Sequence, residues 1–191
     1  MKTIAFFDFD GTLYKKDSLL EFTKFSKGNI SFYMGLITLS PYLIALKMGL
    51  YSNEKAKIKF IRHFFKDYKY EDFYTLCCTF SLTKIEQNLA KEIYAKFLNH
   101  LEENHLVYIV TASIPEWVEP WSNQFGVSVI GTKIEIKDNL ATGNFLTRNC
   151  FGIEKTNRIK EIINLDEFDD IHVYGNGKGD LEMLALSKSS V

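Results

Sequence analysis

The stretch Thr3-Ile4-Ala5-Phe6-Phe7-Asp8-Phe9-Asp10-Gly11-Thr12-Leu13 decides the fold. Residues 3–9 are a compact run of β-branched and aromatic side chains, the composition of a strand buried on both faces. Asp10-Gly11-Thr12 supplies turn chemistry directly after it. The same reading finds three more strands at residues 106–110, 127–130 and 171–174, each flanked by helix-period segments. That alternation predicts an α/β fold with a mainly parallel sheet. Residues 133–146 alternate as a hairpin does, with Lys137-Asp138-Asn139 near the turn.

Nearly a hundred residues without a convincing strand separate the first two strands. Residues 17–27, 54–65 and 71–80 read as helices. Ile85, Leu89, Ile93, Phe97 and Leu101 recur every four residues and predict one amphipathic helix. Residues 30–50 are apolar, and a helical break is expected near Pro41, because proline lacks the amide donor. The segment is far too long for an ordinary strand-to-helix connection. It reads as an all-helical insertion over the carboxyl edge of the sheet, where α/β proteins bind ligands.

The chain has 191 residues, 46% hydrophobic and 25% charged, the balance of a soluble globular protein. Its net charge of -1 argues against nucleic acid as the main partner, because phosphate backbones recruit strongly basic faces. Cys77, Cys78 and Cys150 are odd in number and two are adjacent, so reduced thiols and a cytoplasmic location are expected. The N-terminal apolar run is too short and too acidic for a signal peptide. Gly175, Gly177 and Gly179 do not have dinucleotide-binding spacing. The four histidines, at 63, 100, 105 and 172, show no ligand spacing, and Lys55, Lys57 and Lys59 read as a solvated face, with attraction of an anionic substrate as the alternative.

Asp8 and Asp10 leave the end of the first strand one residue apart and point to the same side while the chain stays extended. Two carboxylates that close repel, so a cation is their natural partner, and all-oxygen ligands suit Mg²⁺. A carboxylate beside such an ion can attack phosphorus, and its neighbour can shuttle a proton.

The run from Phe6 to Leu13 resembles the first motif of the haloacid dehalogenase superfamily. Val110-Thr111-Ala112-Ser113 resembles the second, Lys155 the third, and Gly175-Asn176-Gly177-Lys178-Gly179-Asp180 the fourth. Cys150-Phe151-Gly152-Ile153-Glu154-Lys155 looks most like subfamily IB, the group of phosphoserine phosphatase and its relatives. The resemblance implies a Rossmann-like core of residues 1–16 and 101–191 with a helical C1 cap at 17–100. It also implies a Mg²⁺-dependent phosphomonoester phosphatase acting on a small phosphorylated metabolite. Asp8 would form an aspartyl-phosphate. Asp10 would serve the leaving alcohol and then water, while its carbonyl ligates the metal. Thr111, the Ala112 amide and Lys155 would hold the phosphoryl group, and Asp8, Asp10, Asn176 and Asp180 would make up the metal site. An acid two residues after the nucleophile favours phosphate chemistry over dehalogenation, which has no alkoxide to protonate.

Two departures stand out. Asn176 replaces the usual metal-binding Asp and brings no negative charge, which leaves a weakened phosphate-binding or regulatory module as an alternative. The chain also stops at Val191, where relatives commonly add a strand, a difference expected to bear on stability rather than chemistry. By the same resemblance, Asp17 lies where phosphoserine phosphatases read the amino group of their substrate, and Arg62 lies near their carboxylate-reading Arg. Residues 28–46 carry no charge, which keeps open a membrane-facing cap and a lipid phosphate of the phosphatidylglycerophosphate type. A soluble lid is favoured, because Ser31, Thr38, Ser40 and Lys47 interrupt the apolar surface. The lid's Phe, Tyr and Leu side chains are then expected to pack on the helix through Ile85, Leu89 and Ile93.

Overall fold

A computed structural model describes residues 2–188; the C-terminal departure at residues 189–191 lies outside the described residues. Strands β1 (Thr3–Phe7), β2 (Leu106–Val110), β3 (Ser128–Ile130) and β6 (Asp170–Tyr174) form one parallel sheet in the order β3-β2-β1-β6. The central strand, β1, is buried along its whole length. Its side chains alternate between two cores, as strand geometry requires. Ile4 and Phe6 face helices α5 (Ile153–Ile162) and α6 (Leu181–Leu184), packing with Ile159, Ile163 and Met183. Ala5 and Phe7 face a larger aromatic core shared with the inserted helices. A hairpin of β4 (Ile134–Lys137) and β5 (Leu140–Phe145) stands apart from the sheet. Its turn residues Asp138 and Asn139 both have positive φ, the signature of a tight two-residue hairpin turn.

The insertion holds α1 (Ser18–Lys47), α2 (Asn53–Phe65) and α3 (Tyr70–Lys84). The break in α1 falls at Gly28, whose φ of 75° has left the helical region, and not at Pro41 as expected. Pro41 stays inside the helix because its missing donor is replaced. The carbonyl of Ile37, which the amide of residue 41 would have met, accepts the Ser40 hydroxyl at 2.7 Å. The second half of α1 packs on α2, where Phe32 stacks on Phe64 with ring centroids 6.4 Å apart. Its outward face, Ile30, Tyr33, Met34, Ile37 and Ile44, remains exposed, which corrects the expectation of a buried lid helix.

The four-residue period from Ile85 to Leu101 does not form one helix. α3 ends at Lys84, and α4 runs from Lys91 to Glu102. Between them the backbone turns to another segment: the Ala90 amide donates to Leu13 and the Lys15 amide to Asn88, both at 2.9 Å. These two bonds tie the segment ahead of α4 to the chain that follows the β1 turn. α4 covers the sheet itself, with Phe97 edge-on to Phe7 at 5.4 Å. The β4–β5 hairpin, sequence-wise in the core, pairs instead with the chain after α2 through Asp67 to Ala141 at 2.8 Å and Ala141 to Tyr68 at 2.9 Å.

Candidate active site

β1 sits where the strand order reverses, between β2 and β6, so its carboxyl end opens at the switch point of the sheet. Asp8 extends the ladder by one residue, its amide donating to Tyr174 at 2.8 Å. The chain then turns sharply, and the Tyr14 amide returns to the Phe9 carbonyl at 2.8 Å. That turn presents Asp8 and Asp10 to a cavity of about 250 Å³. The cavity is also lined by Asp17, Ala112, Lys155, Asn176 and Asp180, and by Lys57, which the sequence reading placed on a solvated face.

Lys155 is the buried hinge of this site. Its ammonium lies 2.5 Å from Asp8 Oδ1 and 2.7 Å from Asp180 Oδ1. The second oxygen of Asp180 accepts the amides of Asn176 at 3.1 Å and Gly177 at 2.8 Å. Asp180 thus fixes both the lysine and the loop after β6. Burial works against the charge on Lys155, but Asp8 and Asp180 outweigh it and raise its pKa. Asp8 is pushed up to about 6 by burial, with Lys155 pulling the other way. Thr12 Oγ1 donates to its other oxygen at 2.7 Å.

Asp10 has a different environment. Its Oδ1 accepts the Ser18 amide at 2.7 Å and its Oδ2 the Ser113 hydroxyl at 2.5 Å. Ser113 Oγ is in turn 2.7 Å from Ser18 Oγ, which receives Trp117 Nε1 at 3.0 Å. Ser113 has one hydroxyl proton and gives it to Asp10, so between the two serines Ser18 is the donor. Trp117 donates to Ser18, Ser18 to Ser113, and Ser113 to Asp10. Burial raises the pKa of Asp10, and the charge of Asp17 adds to it, while the two donors oppose. Burial raises the pKa of both carboxyls, and what separates them is their partners: Asp8 is clamped by the Lys155 cation, and Asp10 is held by neutral donors. That is how adjacent carboxyls are divided between nucleophile and proton carrier.

The other residues singled out in the sequence fall as follows. Thr111 is fully buried at the end of β2 and does not line the cavity; its hydroxyl oxygen accepts the Ser113 amide at 3.0 Å, which leaves the hydroxyl proton to give. Ala112 lines the cavity beside it. Asp17 does so too, while capping α1 through the Leu20 amide at 3.1 Å. Asn176 lies at the cavity, with its side-chain amide donating to the Gly11 carbonyl. Arg62 is not part of the site. It is exposed on α2, turned toward the hairpin, and donates to Asn144. In its place the structure brings in Lys57, whose ammonium donates to the Ala112 carbonyl at 3.2 Å and whose pKa is lowered by burial. Helix geometry held the signal for this. Lysines at 55, 57 and 59 cannot share one face of an α-helix, so at least one had to turn away from the others. Ser18 and Ser113 were missed as well. A small polar residue beside a catalytic motif carries no periodicity, and only the fold brings these two, far apart in sequence, together.

Four carboxylates, Asp8, Asp10, Asp17 and Asp180, line the cavity against three ammonium groups, Lys57, Lys155 and Lys178. Lys155 is already shared between two of those carboxylates. A phosphoryl group entering here needs a further cation, and the remaining donors are oxygens, the set that suits a hard divalent ion.

Comparison with known proteins agrees with this geometry. A family model described as haloacid dehalogenase-like hydrolase matches residues 5–185. Protein CicA of Caulobacter vibrioides is 30% identical over 185 residues, covering 95% of this chain and 81% of the relative. A Bordetella pertussis Tohama I protein of unknown function superposes with a TM-score of 0.80 at 20% identity, covering 98% of this chain and 88% of its own. A phospho-aspartyl intermediate analogue of phosphoserine phosphatase superposes with a TM-score of 0.63 at 18% identity, covering 97% and 83%.

Proposed function

The chain belongs to the haloacid dehalogenase-like hydrolases, and on that footing we propose that it is a phosphomonoester phosphatase working through Asp8. The observation that carries this reading is the division of labour between the two carboxylates at the end of β1. Asp8 pairs with the Lys155 ammonium, while Asp10 takes neutral donors, the Ser113 hydroxyl and the Ser18 amide.

An Asp8 oxygen forms a bond to phosphorus as the ester P–O bond breaks. Asp10 gives its proton to the departing alkoxide. Asp10, now a carboxylate, takes a proton from water, whose oxygen attacks phosphorus. Phosphate leaves and Asp8 is restored. Lys155 moves its charge between Asp8 and the phosphoryl oxygens, with Asp180 keeping it in place. Lys57 and Ala112 also line the cavity and would help neutralise the equatorial oxygens. Asp8, the Asp10 carbonyl and the Asn176 amide oxygen would hold Mg²⁺, which when bound shields the incoming phosphoryl charge from the carboxylates. A small phosphorylated metabolite suits the cavity volume, and the three unpaired thiols support a cytoplasmic setting.

The test is phosphate release from a panel of phosphomonoesters, with and without Mg²⁺, in the native protein and in Asp8→Asn. Mg²⁺-dependent turnover that vanishes in the variant supports the reading. Turnover that survives in Asp8→Asn removes it.

A further inference from the structure

The second half of α1 is apolar on both sides. Its inner side packs on α2, and the contact is close: a Cβ at Gly35 would sit 2.1 Å from the Phe64 ring. Its outer side is a continuous stripe at helical spacing, formed by Ile30, Tyr33, Met34, Ile37, Ile44 and Met48. Ile30 is 83% exposed and Ile37 67%. A helix that is apolar all round is normally buried, and contiguous exposed stripes of this kind mark an interaction site.

The polar residues within the stripe do not need water. Thr38 Oγ1 donates to the Met34 carbonyl at 3.0 Å and Ser40 Oγ to that of Ile37 at 2.7 Å. Both hydroxyls are thus folded back onto the helix, and the outer surface is less polar than its sequence. The charges around it have one sign. Lys24, Lys27 and Lys47 are the only charged residues between positions 22 and 53, on a chain whose net charge is -1. Tyr33, Tyr42 and Tyr51 lie along the same segment and suit a boundary between apolar and polar surroundings.

We propose that this face docks on an anionic lipid surface, with α1 lying in the boundary between headgroups and acyl chains and the exposed Lys47 reaching lipid phosphates, while Lys27 stays over the Phe65 and Tyr68 rings. The helix is long and apolar enough to cross a membrane by composition. It lies on the surface instead, because its inner side is committed to Phe64 and its first turn to the catalytic site. A second copy of this chain is the poorer occupant. Self-pairing of the stripe sets lysines against lysines with no carboxylate in the segment to meet them. The stripe also runs toward the cavity, since Met48 and Leu50 are exposed just ahead of Asn53, which lines the rim. Docking there places the mouth of the site at the lipid surface, whatever reaction it performs.

Co-sedimentation of the full chain with phosphatidylcholine vesicles, and with phosphatidylcholine–phosphatidylglycerol vesicles, tests this. Light scattering in solution is run in parallel. The expected result is a monomer that binds the anionic vesicles and is released by salt. The double variant Ile37→Lys, Ile44→Lys should bind at least about tenfold more weakly with an unchanged circular dichroism spectrum. Lys47→Glu, at an exposed position, should weaken binding by roughly fivefold, so the test stands even where the double variant fails to fold. A protein that stays in the supernatant with anionic vesicles at low salt overturns the proposal. A dimer split by the isoleucine substitutions does so too, and assigns the face to a second copy.

Discussion

The two ends of α1 behave as different materials. At the first turn, Asp17 and Ser18 are wired into the site: one caps the helix at the cavity wall, and the other gives its amide to Asp10 and its hydroxyl to Ser113. Beyond Gly28 the same helix carries no charge until Lys47 and leaves a row of large apolar side chains exposed. The first region is specified by polar groups that each find a partner. The second is specified by packing on one side only. Buried polar networks lose function when a single member is removed. A half-packed helix tolerates change on its open side and resists it on the closed one.

The largest expected effect on turnover comes from Asp8→Asn, which removes the attacking oxygen beside Lys155; phosphate release in a steady-state assay should fall to background. Asp10→Asn should cost roughly 10²- to 10⁴-fold, the usual range for a positioned acid–base group. That loss should shrink for nitrophenyl phosphate, whose leaving group needs no proton. Equal losses for alkyl and nitrophenyl esters would show that Asp10 does not serve the leaving group.

Ser113→Ala breaks the donor chain from Trp117 without touching Asp8. Loss of a hydrogen bond to a charged group is worth about 1.5–3 kcal/mol, so kcat should fall by roughly ten- to a hundredfold. An unchanged kcat would make the chain structural only. Asn176→Asp adds a carboxylate to the metal side of the cavity. The Mg²⁺ concentration for half-maximal activity should drop, and an unchanged requirement would place residue 176 outside the metal's reach.

Within α1 beyond Gly28, two neighbouring positions sharpen the contrast. Leu39 is 3% exposed and faces the packed side; Leu39→Ala should cost about 2–5 kcal/mol in denaturant unfolding. Ile37→Ser, on the open side, should stay within about 0.5 kcal/mol. Similar costs at both positions would mean that the outer face is packed in solution.

The sheet was legible because its strands are uninterrupted apolar runs, a signal that needs no knowledge of the partner strand. The carboxylate pair was legible for a similar reason, since its spacing is local. Local pattern failed wherever a backbone bond left its own segment. The period through Ile85, Leu89 and Ile93 continued smoothly in sequence while the backbone at Asn88 and Ala90 turned to Lys15 and Leu13. Pro41 looked like a break because the Ser40 hydroxyl that replaces its donor is invisible to a propensity argument. Arg62 and Lys57 exchanged roles because which face of α2 meets the cavity depends on the hairpin, whose partner is distant in sequence.

The central claim is that Asp8 becomes phosphorylated during turnover. Rapid acid quench of the enzyme with substrate and Mg²⁺, followed by mass analysis of its peptides, tests it directly. The account predicts one phosphoryl group on the peptide carrying Asp8, which disappears when substrate is exhausted and never forms in Asp8→Asn. Undiminished turnover with no phosphorylated peptide, or with the phosphoryl group on another residue, would contradict it.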